Sequence, residues 1–219
     1  MDKSPRHPIG GHMSDVVGGL VRRFQLAPLQ ERYDSTLVLG AFALLNGFLS
    51  IALMAAAALV TGQPFVFPSL GPTAFLLFYT PHLASASPRN TVLGHLVGVV
   101  AGYVSLVVFG LTTAGPALAE GVTTARVLAA ALSLGLTAGF MVWLRVPHPP
   151  AGATTLIISL GILTQPGQLA VLMLAVLLLV GQAIMINRLA GLDYPLWSPH
   201  PSPEAKPARR PDQRTGAAR

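Results

Sequence analysis

Two histidines and a handful of hydroxyls are the residues of this chain with chemistry to offer inside an otherwise apolar body. His148 lies in Val146-Pro147-His148-Pro149-Pro150-Ala151-Gly152-Ala153-Thr154-Thr155, and His95 sits on a run carrying Gly94, Gly98, Gly102 and Gly110. Between Ser35 and Asn187 the ionisable groups are Arg89, Arg126, Arg145, His82, His95 and His148, against the single acid Glu120. A cation held within a membrane wants carboxylate oxygens, and the apolar runs supply none, so this balance suits an anion. An imidazole titrating near pH ~6.5 adds a positive charge that strengthens anion binding or couples proton movement to it. Ser69, Thr73, Thr154 and Thr155 offer hydroxyl donors to the same ion.

Other chemistries fit less well. A hydrolase built on Ser69 with His148 or His95 has no Gly-x-Ser-x-Gly turn and no acidic group to orient its base. His82, His95 and His148 have no carboxylate or sulfur beside them, a poor set for a transition metal. The expectation is no enzyme, no catalytic residue, no cofactor and no metal site. The arginines Arg89, Arg126 and Arg145 read most simply as anchors at the membrane interface.

These side chains must be held by membrane-spanning helices. Only 10% of the residues are charged and the mean hydropathy is +0.61, outside the soluble range. The net charge of +6 comes mostly from the two terminal segments. Positive-inside topology explains it better than nucleic acid, and nucleic acid is not an expected partner. With no cysteine, disulfides and thiolate sites are excluded.

Runs of roughly 20 apolar residues suffice to span a bilayer. Four full spans are predicted, at Thr36 to Val60, Thr91 to Thr113, Arg126 to Arg145 and Gln168 to Asn187. Gly47 and Ala55 to Ala58 give the first a small-residue packing face, and Gly94, Gly98, Gly102 and Gly110 give the second another. Two proline-rich breaks interrupt the pattern, Thr61 to Thr73 and Val146 to Ile157, because proline cannot continue a helix. A short helix follows each, over Thr73 to Thr80 and Ala153 to Leu163. The freed N–H groups of their first turns are expected to face the anion, with Gly71 and Gly152 allowing close backbone approach.

Pro68-Ser69-Leu70-Gly71-Pro72-Thr73 aligns with Pro149-Pro150-Ala151-Gly152-Ala153-Thr154 at a constant offset of about 81 residues. The fold class expected is an all-α integral membrane protein, four full transmembrane helices plus two half-helices in an internal, inverted repeat with halves 35–113 and 126–188. In transporters, interrupted segments in corresponding halves point to a midplane binding site. If each half-helix completes a crossing, the chain crosses six times and Arg89, Arg145, Arg188 and both termini share the cytoplasmic side; if both breaks re-enter, it crosses four times and Arg89 and Arg145 move to the far side, against the positive-inside tendency. Residues 1–32 form an N-terminal segment with an interfacial helix over Val16 to Phe24, and 198–219 a disordered basic tail.

His148-Pro149-Pro150-Ala151-Gly152-Ala153-Thr154, together with Ser69-Leu70-Gly71-Pro72-Thr73, Pro88-Arg89-Asn90 and Gly94-His95, resembles the HPP family of integral membrane proteins over roughly 33–197. The resemblance implies four transmembrane helices and a transport-related role; some cyanobacterial and plastid relatives are associated with nitrite transport. The expected function is therefore a multi-pass transporter or channel for a small anion such as nitrite, in a cell membrane of the bacterial inner-membrane type. The substrate would meet His148, Gly152, Thr154, Thr155, Ser69, Gly71, Thr73, His95, Arg89 and Asn90. A non-transporting scaffold or sensor is the alternative. The lipid bilayer and a second copy of the chain, as a homo-oligomer, are the other expected partners.

Overall fold

The computed structural model describes residues 25–200, so the helix expected over Val16 to Phe24 and the tail beyond His200 lie outside the described residues. Every regular element among the described residues is helical. A short α1 (Leu26–Arg32) leads into α2 (Ser35–Thr61), whose first turn is capped by Asp34 accepting from the Leu37 N–H at 2.9 Å. Then come α3 (Leu70–Tyr79), a 3₁₀ turn (Ala84–Ala86), α4 (Pro88–Val108), α5 (Ala117–Glu120), α6 (Thr124–Trp143), α7 (Ala151–Ser159) and α8 (Pro166–Leu189). Helices α2, α4, α6 and α8 are long and apolar enough to cross a membrane. The order long, short, long occurs twice, and the short helices begin 81 residues apart, at Leu70 and Ala151.

The boundaries differ from expectation where proline is involved. The second span begins at Pro88, because Ser87 caps it by accepting from the Asn90 N–H and a proline in the first turn gives up only an N–H that has no helical partner. It ends at Val108, so Gly110 falls in the following turn and leaves the glycine stripe. Gly94, Gly98 and Gly102 make the close contact predicted for α4. A Cβ at these positions would lie 2.6 Å from His148 Cβ, 2.7 Å from the Ala151 carbonyl oxygen and 2.9 Å from Ile158 Cβ. Thus α7 and its approach lie directly on the glycine face of α4.

Other small residues do not behave this way. No atom comes within 4 Å of a Cβ built on Gly47 or Gly71, and Gly152 would meet only Leu134 Cδ1 at 3.5 Å. The close approaches expected at these glycines are not made; α7 is seated from the α4 side instead. Helix α2 buries only a thin seam, Asn46, Ser50 and Met54, one residue per turn. Helix α8 buries a full face, with Leu172, Ala175, Val176, Leu179 and Ala183 recurring at three- and four-residue intervals.

Loop hydrogen bonds define the two ends of the bundle. At one end the Leu26 N–H donates to Ala190 O and the Arg89 N–H to Trp197 O, both at 3.0 Å, while the Tyr194 hydroxyl donates to Ala86 O. The Arg89 guanidinium donates to Arg145 O there at 3.3 Å. This end gathers the starts of α2 and α4 and the ends of α6 and α8. At the other, the Ala117 N–H donates to Leu160 O at 2.9 Å, bringing together the ends of α4 and α7 and the start of α6. Asn187 Nδ2 donates to Leu77 O at 3.1 Å, so α3 runs toward the first end while α7 runs toward the second.

Candidate functional site

The short helices start at one buried cluster. Thr73, in the first turn of α3, places its hydroxyl 2.9 Å from His95 Nε2, and Thr154, in the first turn of α7, places its own 2.8 Å from His95 Nδ1. The two threonines are 81 residues apart in sequence, and they bracket the two nitrogens of one imidazole. His148 Nε2 lies 3.3 Å from the same Thr73 hydroxyl. Its Nδ1 lies 2.8 Å from Ser85 O and 3.5 Å from Thr91 Oγ1. The two rings are 4.9 Å apart, tilted by 55°. His95, His148, Thr73, Thr91 and Thr154 have no exposed surface.

Local sequence explains the placement. The turn through Pro149 and Pro150 seats His148 against Gly94, where any larger residue on α4 would displace it. Thr91 lies one helical turn before His95 and so shares its face of α4. That spacing was the available signal for Thr91, which sequence reasoning missed; the Ser85 carbonyl carried no such signal.

The first turn of α7 is not open for a ligand. The N–H groups of Ala151, Gly152 and Ala153 donate to the carbonyls of His148, Pro149 and Pro150 at 2.9–3.0 Å, because the proline segment closes into 3₁₀ turns before the helix proper. In α3 the Leu70 N–H donates to Phe67 O at 2.9 Å, and Pro72 has no N–H to offer. The expectation of free backbone donors on α7 is therefore overturned. The helix dipole still places its positive end at the cluster.

The remaining candidates divide. Ser69 O accepts from Thr73 at 2.9 Å, while the Ser69 and Thr155 hydroxyls are buried and have no hydrogen-bond partner. Gly71 is exposed and Gly152 half-buried. Asn90 Nδ2 donates to Ala84 O at 2.8 Å, fixing the turn that carries Ser85, and Arg89 is occupied by Asn90 Oδ1 and Arg145 O at the end of the bundle. His82 is exposed, outside the histidine pair.

Arg126 departs furthest from its expected place. It is 3% exposed, with Nη1 donating to Ser159 O at 3.1 Å and Nη2 to Gly115 O at 2.6 Å. Instead of anchoring at the lipid interface, it neutralises the negative end of α7 and ties it to the loop after α4.

The model of the family described as HPP, transmembrane region, matches residues 33–195. Two transmembrane proteins of Dictyostelium discoideum are 32% and 34% identical over 94 and 93 residues, 43% and 42% of this chain. The matched stretch spans 30% and 27% of those proteins, less than a third of either. No solved structure matches the chain.

Proposed function

Since this chain belongs to the HPP transmembrane family, we propose that it is a multi-pass membrane transporter for a small monovalent anion such as nitrite, which crosses at the level of His95 and His148. The observation that carries the reading is the convergence of Thr73 and Thr154, from two short helices running to opposite ends of the bundle, on His95. Two inverted half-helices meeting at a buried polar centre fit an inverted repeat with a midplane site. The carboxylate-free spans and the two positive helix ends favour negative charge there. Ser69 and Thr155 add hydroxyls free to donate. That Ser69 Oγ has no partner favours a transporter over a hydrolase, since no base activates it. In this reading the chain crosses six times, and the end holding Leu26, Ala84 to Asn90, Arg145 and Ala190 is cytoplasmic.

Purified protein in liposomes provides the test, through uptake of nitrite, nitrate and formate against a monovalent cation. Anion-selective uptake that falls in His148→Ala is expected; cation-selective uptake overturns the reading. A non-transporting scaffold or sensor is favoured by one observation, that the histidines and threonines satisfy one another without a ligand, and it predicts no uptake of any ion.

A further inference from the structure

The histidines and threonines form a line as well as a pocket. A carbonyl oxygen only accepts, so Nδ1 of His148 donates to Ser85 O, and in the neutral ring Nε2 keeps its lone pair. The hydroxyl facing that lone pair belongs to Thr73, whose single proton goes to Ser69 O at 2.9 Å or, on rotation about its C–O bond, to His148 Nε2 at 3.3 Å. When Thr73 donates to His148 Nε2, His95 donates from Nε2 to Thr73, and Thr154 donates to His95 Nδ1. His95, Thr73 and His148 then each give one proton and take one, in a single direction that starts at Thr154 and ends at Ser85 O. Thr154 belongs to the helix running to one end of the bundle, and Ser85 to the turn at the other.

We propose that this line is a proton path, and that one proton crosses with each monovalent anion; the proposal rests on the transport reading above and names its coupling ion. In the step, Thr154 Oγ1 takes a proton from water and passes its own to His95 Nδ1. His95 Nε2 passes its proton to Thr73 Oγ1, which passes its own to His148 Nε2, and His148 Nδ1 gives one to water reaching the half-buried Ser85 turn, since the carbonyl it faces cannot keep a proton. One proton enters, one leaves, and no group changes net charge. The released state puts a bare Nδ1 against Ser85 O, two acceptors 2.8 Å apart, which cannot persist. Proton release therefore drives His148 off the 84–86 turn, and the prolines beside it move with it.

The surroundings leave the path to these four side chains. Helices α3 and α7 bring only hydroxyls to the rings, and α4 adds Thr91. The charged groups on the packed elements are Arg89 of α4, Arg126 of α6, Arg145 after α6 and Arg188 of α8, with no acid among them. Histidine relays are an established way of moving protons within membranes.

The experiment loads liposomes with a pH-reporting dye and imposes a nitrite gradient at constant outside pH, with protein-free liposomes as the blank. Wild type is expected to move protons with nitrite, one for one, at a rate unchanged by an imposed membrane potential. Thr73→Val, which keeps the shape and removes the hydroxyl, is expected to lower the proton flux about tenfold or more, and Thr73→Ser to retain it. Nitrite uptake without protons, or an undiminished proton flux in a folded Thr73→Val, overturns the proton path and leaves anion transport standing. Absence of nitrite, nitrate and formate uptake by wild type overturns both.

Discussion

Arg126 holds the Ser159 and Gly115 carbonyls and Tyr194 holds that of Ala86, and each can be tested singly. Replacing Arg126 by lysine keeps the charge but cannot reach Ser159 O and Gly115 O together, so a loss of about 1.5–3 kcal/mol is expected in thermal unfolding in detergent. Tyr194 is buried, and burial pushes its phenol above the ordinary value of 10.0. Its hydrogen bond to Ala86 O is thus fully present below about pH 10 and is lost as pH rises through the elevated folded value. Tyr194→Phe should lower stability by about 1 kcal/mol at neutral pH and flatten the alkaline decline; an unchanged decline would assign it to other groups. The sequence pointed to His95, His148, Thr73 and Thr154 because polar groups stand out in apolar runs. It did not show Arg126 as buried, since that depends on two carbonyls from distant turns, whereas an arginine at the edge of a span looks like an interface anchor.

Among the elements, the contact between α4 and α7 depends on three glycines, and the substitutions should sort accordingly. Gly98→Ala drives a methyl against the Ala151 carbonyl oxygen and is expected to cost about 1–3 kcal/mol, with Gly94→Ala close behind. Gly71→Ala, with open space around it, should be neutral or stabilise by up to about 1 kcal/mol through helix propensity. A melting series in detergent checks both; equal losses would mean that packing on α4 is not what seats α7. The end of α6 offers a further test. Arg145 occupies the left-handed conformation at φ 54°, where α4, α7 and α8 use Gly110, Gly161 and Gly191. Arg145→Gly should stabilise by about 1 kcal/mol, and any accompanying loss of uptake would isolate a role for the guanidinium. Stripe spacing made the α4 face legible before any coordinates, but nothing in the spacing says which partner fills it. The same limitation misplaced the close approach at Gly71 and Gly152.

For the whole molecule, the number of crossings was open in sequence because half-helices that cross and half-helices that re-enter have the same composition. Hydrogen bonds joining Leu26 to Ala190 and Arg89 to Trp197 bring the starts of α1 and α4 to one end of the bundle, and the crossings themselves are a matter for labelling. Cysteine labelling has a clean background, since the chain has no cysteine. Leu83→Cys and Tyr33→Cys, both exposed, should react from one side of the membrane and Leu118→Cys from the other; Leu83 reacting with Leu118 would restore four crossings. The cluster also sets a timetable for biogenesis. His95 leaves the ribosome 59 residues ahead of Thr154, roughly 3–12 s at ordinary rates of synthesis. Until α7 is made, the glycine face of α4 lacks the helix that fills it and His95 Nδ1 lacks its hydroxyl, so a chain arrested in that interval leaves both without their partner.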